Sequence, residues 1–456
     1  MDPATFVDPN LTRPDLLVLK NLLQDVERIE TTAKRLGANG VDSGYTSAVE
    51  EISVSKGVQD AEPHHDSVAP LNASLPNDEK IIEAIEALND PMHEDFDPTV
   101  FVTWDLKDIK LPPVLDRYVL RPYITWARTV VRKETDVVML THLILYFTTS
   151  VPSALFLYYR FSWLHGVLHC LMQGWYVGTY TLMRHQHIHM NGILSPRYVW
   201  LDSTFAYVLD PLMGHTWNTY YYHHVKHHHV EANGPDDLSS TLRYQRDDLL
   251  NFLHYVGRFF FFVWLDLPLY FLRKGNPSMA LKAGSGEMAN LLAMYLLATY
   301  LNLRATVFVL IVPLLLLRIG LMVGNWGQHA FVDDVDPDSD FRSSITLIDV
   351  ASNRFCYNDG YHTSHHLNPR RHWREHPIAF LKQKDRYARE QALVFRNIDY
   401  IMITIKLLRK DYMHLAKCLV PIGDQVGMSL EEIAGMLRTK TTKFTEEGIK
   451  EKFGKK

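Results

Sequence analysis

The sequence predicts an all-α membrane protein, with four transmembrane helices in two hairpins and a cytosolic helical cap carrying clusters of histidine. Three observations predict it. Apolar residues are clumped between Val137 and Gly324, although the mean hydropathy of the whole chain is only −0.12. The long apolar runs come in pairs joined by very short links. Histidine, lysine and arginine crowd one set of helix ends.

The first 95 residues read as a polar, partly disordered arm. Asp15 to Leu36 has the pattern of an amphipathic helix, preceded by Pro14 and stopped by Gly37. Residues 38–76 mix Gly, Ser, Asp and Pro with few large apolar side chains and read as flexible. Asn77 caps a second short helix to about Asn89. This arm is expected to be a solvated tail without chemistry of its own. Met1 to Gln24 lacks the basic start and apolar core of a secretory signal, and early acidic residues argue against an organelle transit peptide.

Residues 96–136 form an amphipathic approach to the membrane, and 137–377 the membrane domain. A crossing helix needs about 20 mostly apolar residues. Val137 to Tyr159 and Trp163 to Met183 meet this, and their short link makes them a tight hairpin. A second pair runs from Met288 to Leu303 and from Ala305 to about Gly324, the former short at 16 residues. Asn251 to Leu272 is apolar but carries Arg258, Asp266 and Pro268. Were it to cross, the last histidine cluster would lie on the opposite side from the first two, so it is read as interfacial. The hairpin links carry one arginine each, Arg160 and Arg304, whereas the other face is rich in Lys and Arg. That asymmetry places both termini and every histidine cluster in the cytosol. Residues 378–456 read as a cytosolic helical tail.

Roughly half of the 23 histidines fall in three clusters. The first holds His185 and His189, four apart and so on one helix face, with His187 pointing the other way. The second runs from His223 to His229 and contains HxxHH as His224, His227 and His228. The third is HxxHH again, as His362, His365 and His366. Just past the fourth span stand Asn325 and, one turn later, His329. Imidazole suits zinc, copper, iron and nickel alike. Nine candidate imidazoles are too many for one tetrahedral zinc and enough for two metals that each keep an open position. Two irons suit a substrate with no acid or base handle, such as a hydrocarbon chain. Clustered imidazoles without a metal would repel when protonated and lose hydration when neutral. Glu231, Asp236, Asp237, Asp333 and Asp359 lie nearby as acceptors for ligand N–H groups.

These boxes, HxxxH, HxxHH and HxxHH arranged around two hairpins, resemble the membrane fatty acid desaturases and related hydroxylases. Asn358-Asp359-Gly360-Tyr361-His362 through Pro369 is similar to the family's third box, with a Gly before HxxHH and a Pro after it. The pair Asn325 and His329 resembles a family ligand pair in which the Asn reaches iron through water. The resemblance covers about Val137 to Pro377. It implies two Fe ions with O2 as co-substrate, and desaturation of a long acyl chain at the endoplasmic reticulum. Three intervening residues in the first box lean toward acyl groups esterified in membrane lipid rather than acyl-CoA. The chain departs from the family in its second box, whose histidine run also permits His224 with His228 and His229, or His223. No His-Pro-Gly-Gly haem-binding stretch is present, so electrons are expected from a separate carrier, cytochrome b5 with its reductase, or ferredoxin. The net charge of −5 offers no nucleic-acid footprint, and Cys170, Cys356 and Cys418 are too scattered for a thiolate cluster.

Other readings compete. A hydroxylase, acetylenase or sphingolipid desaturase would use the same scaffold. A zinc-holding receptor or metal transporter is the non-enzymatic alternative, but a transporter places His and carboxylates in mid-span, not at one end. His165 and His169 lie about 24 Å along the helix from the first box and are assigned to packing or an interhelical hydrogen bond, as is His142. His372 and His376, among Arg370, Arg371 and Arg374, read as a basic patch for lipid phosphates or an acidic partner. Arg318, inside the fourth span, is either functional or snorkels to the headgroups.

Overall fold

A computed structural model describes residues 4–9, 11–35, 76–102 and 104–454. The chain is predominantly helical, and its only strands among the described residues are two short pairs. Three helical stretches are long and apolar enough to cross a membrane: Val137–Tyr159, Leu249–Arg273 and Pro277–Gln328. Trp163–Met190 is not among them, because His165, His169, Gln173 and Arg184 dilute its hydropathy.

The arm before the membrane is not the solvated tail expected for it. Helix α1 (Arg13–Arg35) and helix α2 (Pro76–Asn89) are packed onto the cap. Val18, Leu19, Leu22, Leu23 and Val26 form a stripe of α1 buried against Ile348, Tyr361, Phe380 and Tyr387. Lys384 ties the two helices to the cap, bonding Asn21 at 2.8 Å and Asp78 at 2.9 Å and pairing with Asp25. An amphipathic helix needs a surface for its apolar stripe, and here that surface comes from residues more than 300 positions later. Gly37 and nearly all of the stretch read as flexible lie outside the described residues.

Strands β1 (Thr99–Phe101) and β2 (Trp104–Asp105) pair antiparallel and lead to the amphipathic helix α3 (Arg121–Val130). Helix α4 (Val137–Tyr159) and helix α5 (Trp163–Met190) pack as a hairpin. Ser153 Oγ on α4 meets His165 Nε2 at 2.8 Å and His169 Nδ1 at 2.9 Å on α5, so these histidines serve interhelical bonding. His142 packs between Phe101 and Tyr146. Helix α6 (Val199–Leu212) then leads to the second histidine box.

Helix α7 (Leu249–Arg273) and helix α8 (Pro277–Leu297) are antiparallel, with Pro268 against Gly284 across their turn. Helix α8 begins at Pro277, capped by Asn276, well before the expected Met288, because the polar run Gly284 to Glu287 hides its first turns from a hydropathy reading. At Asn302 the backbone is extended and its side chain caps the next helix. Helix α9 (Val312–Gln328) follows. Glu287 and Arg318 stand nearly equidistant from Asn302 on either side and form an ion pair, so the helical stretch 277–328 folds back on itself at that residue. Helix α7 touches the second box through Phe259 on His223 and Tyr270 on His227, and the segment after the box through the Tyr255 hydroxyl, which donates to Ser239 O at 3.2 Å, and the Tyr270 hydroxyl, which donates to Glu231 at 2.6 Å. Phe259 and Tyr270 are about 16 Å apart along the helix, so this part of α7 flanks the outward side of the box.

The cap is closed by strand β3 (Ile345–Leu347), which pairs in parallel with strand β4 (Leu393–Phe395). Between them lies helix α10 (His362–Leu367), the third box. Of the residues read as a basic patch for lipid phosphates or an acidic partner, Arg370 is exposed, but His372, Arg374 and His376 are buried against protein. His372 bonds Asp136 at 2.7 Å, Arg374 bonds Asn89 at 2.7 Å and Thr99 at 3.0 Å, and His376 meets Ser364 at 3.0 Å. Asp136 and Asp105, brought from the approach segment, receive His372 and Arg374, which spacing along the chain does not reveal.

Candidate metal centre

The first box lies in the last turns of α5, where helical spacing puts His185 and His189 on one face. His187 faces away: its Nδ1 accepts from Arg184 at 2.6 Å and its Nε2–H donates to the Asp202 carbonyl at 2.9 Å. The box is steadied by Asp210, which accepts from Arg184 at 2.9 Å and from Tyr180 at 2.6 Å.

The second box is wound more widely than an α-helix. Tyr221–His228 is π-helical, with i→i+5 bonding. That winding brings residues four and five apart onto one side, so His224, His228 and His229 point inward. His227, read from sequence as a ligand, is turned out: the Leu238 N–H donates to its Nε2 at 3.1 Å, and its ring stands edge-on to Tyr270. His223 likewise stays outside, against Phe259. Of the registers the sequence permits, the one with His228 and His229 is the one whose side chains meet the other boxes.

The third box is ordinary α-helix, with His362 and His366 on one face and His365 beside it. Gly360 is required ahead of it, because the Asn353 side chain and the Leu347 carbonyl fill the place of a Cβ. His329 enters from the end of α9, and its Nδ1–H donates to the Ser343 carbonyl at 2.8 Å.

Nine imidazoles thus gather in two adjoining groups: His185, His189, His224, His229 and His365, and His228, His329, His362 and His366. Within the first, Nε2 atoms of His185 and His365 are 3.1 Å apart, those of His365 and His229 2.8 Å, and those of His229 and His224 3.1 Å. In the second, His362 stands 3.2 Å from His329 and 3.1 Å from His366. Metal–imidazole bonds of about 2.1 Å on an octahedron set neighbouring ligand nitrogens about 3.0 Å apart, so both groups fit a metal ion. Five nitrogens exceed a tetrahedral zinc site. The groups adjoin through His229 and His366, whose ring centres are 5.1 Å apart.

Burial pushes His224, His229, His362 and His365 well below the usual imidazole range, and repulsion among neighbours adds to it. Both effects favour the neutral imidazole, the form that can bind a metal. Of the candidate carboxylates, Asp237 alone touches an inward-facing histidine: His228 Nδ1–H donates to it at 2.8 Å. Burial works to raise its pKa, but His228, His227 and the Ser239 N–H together hold the carboxyl below its ordinary value. Asp236 pairs with Lys274, Asp333 with Lys440 and Arg342, and Asp359 accepts from Gln328 at 2.9 Å. Asp340, 3.4 Å from His366 Nδ1, and the Ser343 carbonyl were missed, and no local pattern marks either. Asn325 lies one turn before His329, with Nδ2 donating to Ser239 O at 2.9 Å and to the Tyr255 hydroxyl at 2.7 Å.

Residues 161–396, just over half of the chain, match the family model described as fatty acid desaturase. Neither a curated protein nor a solved structure gave a match.

Proposed function

We propose, from the premise that the chain belongs to the fatty acid desaturase family, that it is an O2-dependent desaturase placing a double bond in a long acyl chain. The observation that carries the reading is the pair of adjoining imidazole groups, one of five and one of four. Irons held by these imidazoles would supply the oxidising power for the overall change, in which O2, two electrons, two protons and two hydrogens from neighbouring methylenes become two waters and the chain gains a double bond. Imidazole nitrogens alone do not select iron; the need for an oxidant able to attack an unactivated methylene does.

The chain's own groups prepare the site. Asp237 and the Ser343 carbonyl fix the ring orientation of His228 and His329, leaving Nε2 toward the centre. Burial keeps water away and the ligands neutral. Helix α7 is read as interfacial, because a crossing there would put the third box on the opposite side from the first two, which the structure brings together with it, and the remaining apolar helices suit two hairpins with the histidines at the cytosolic face. In that arrangement electrons come from a cytosolic-face carrier, cytochrome b5 with its reductase or a ferredoxin, at the endoplasmic reticulum. The substrate is a membrane lipid acyl group or acyl-CoA, the former favoured by the first box. A hydroxylase, acetylenase or sphingolipid desaturase would share the same centre.

The test is fatty-acid profiling, with double-bond positions, in a host expressing the wild type beside His365→Ala. A new unsaturated species seen only with the wild type supports desaturation. A new hydroxylated species moves the reading to the hydroxylase. No new species from metal-loaded protein in a host supplying electrons overturns both.

A further inference from the structure

Beside the second box, between it and helices α7 and α9, lies a cavity of about 50 Å³. Most of its wall is what a hydrocarbon chain would want, with Phe259 and Leu317 among the lining side chains. Thr216, Thr219, His223 and Arg318 also border it. Intramembrane polar groups are expensive and usually have work to do.

The placement of Arg318 is built rather than incidental. It does not snorkel. One terminal nitrogen pairs with Glu287 and the other donates to the Phe260 carbonyl at 3.3 Å. Glu287 is itself buried and accepts from Thr216 at 2.5 Å and Thr219 at 3.3 Å. Gly286 allows this approach, since the Trp217 carbonyl fills the place of its Cβ. An ion pair serving only to join α8 and α9 explains those contacts and no others. A guanidinium carries five N–H donors in a fixed fork, and here two are engaged. On the same cavity, His223 Nε2 is buried and has no partner.

We propose that this cavity binds a hydroxyl group carried on the substrate's acyl chain, so that the enzyme takes hydroxylated acyl groups in preference to plain ones. The inference rests on the acyl-chain reading given above. Glu287 already balances the charge of Arg318, so a neutral acceptor fits better than a second anion. A hydroxyl accepts from the unused fork donors and donates its own proton to an imidazole lone pair. The cavity volume admits a substituent of that size and not a lipid headgroup. A plain methylene chain would leave His223 Nε2 buried without a partner and the remaining Arg318 donors unused, which is how a site built for a hydroxyl rejects its deoxy analogue. Arg318 lies two helical turns before Asn325, about 10 Å along α9, so the hydroxyl also fixes which carbons face the histidines.

The test is equilibrium binding of methyl stearate and of its positional monohydroxy isomers to the purified full chain in lipid nanodiscs. The wild type is expected to bind at least one isomer about tenfold or more tightly than methyl stearate. Arg318→Met with Glu287→Gln, which removes both charges together, is expected to bring that preference within about twofold. Arg318→Lys keeps the charge opposite Glu287 but loses the planar fork, and is expected to lose most of the preference. Absence of any preferred isomer, or a preference that survives in either variant, overturns the proposal. Because binding is read without turnover, a metal-loaded protein that prefers a hydroxy ester yet alters no acyl chain would count against desaturation and not against this site.

Discussion

His228 gives its Nδ1 proton to Asp237 at 2.8 Å, and Asp237 is in turn held by the Ser239 N–H at 2.8 Å and hydroxyl at 2.7 Å. The carboxylate therefore sets both the tautomer and the direction of the imidazole. Asp237→Asn is expected to weaken metal retention in the His228 group by about 10- to 100-fold. Competition with a graded series of chelators, read by metal analysis of the purified protein, checks it. Unchanged retention would show that His228 is oriented by its packing alone.

The π-helical winding of the second box makes a discriminating claim about two neighbours. His229→Ala is expected to lose metal and product, whereas His227→Ala keeps metal near the wild-type level and costs stability instead, because the Leu238 N–H loses its acceptor. Metal stoichiometry of the two variants, measured side by side, decides between the registers. The reverse pattern would restore the HxxHH reading.

Asp359 supplies a pH dependence. Burial raises its carboxyl to about 7, with the Gln328 hydrogen bond working against the shift. The folded protein then holds a proton that the unfolded chain gives up above about 4. Its contribution favours folding at low pH and is lost as pH rises through 7. Wild-type Tm is expected to fall between pH 5 and pH 7 more steeply than that of Asp359→Asn, which keeps an uncharged side chain throughout, and the two slopes should converge above pH 7. Parallel slopes for the two proteins would contradict the assignment.

The clasp between α1 and the cap gives a fourth expectation. Leu19 is fully buried in the cluster that contains Tyr361, the neighbour of His362. Leu19→Ala is expected to cost about 2–5 kcal/mol and to raise protease sensitivity near the third box. Wild-type stability in this variant, measured by denaturant or thermal unfolding in a detergent that preserves activity, would mean that α1 is held only loosely.

The first and third boxes were legible in the sequence because ordinary α-helix fixes the faces of His185 and His189, and of His362 and His366. The second was not, since π winding is a response to tertiary packing and leaves no residue pattern. The same limit hid the role of α1. Its stripe of Val18, Leu19, Leu22 and Val26 announces a buried face, but not that Tyr361 and Phe380 are what it covers. Arg374 looked like a surface cation because Asp105 and Thr99, which receive it, are far away in the chain. Hydropathy found the apolar helices, yet it began α8 late, where small and polar residues face protein rather than lipid.

The core that backs the third box joins Leu11 through Val26 to residues as late as Val426. A ribosome must release almost the whole polypeptide before that support exists, and the nine imidazoles themselves are not all available until His366 has emerged. The apolar helices are thus made before the imidazole cluster and its backing core can be complete, so the centre is a product of the nearly finished chain rather than of any one segment.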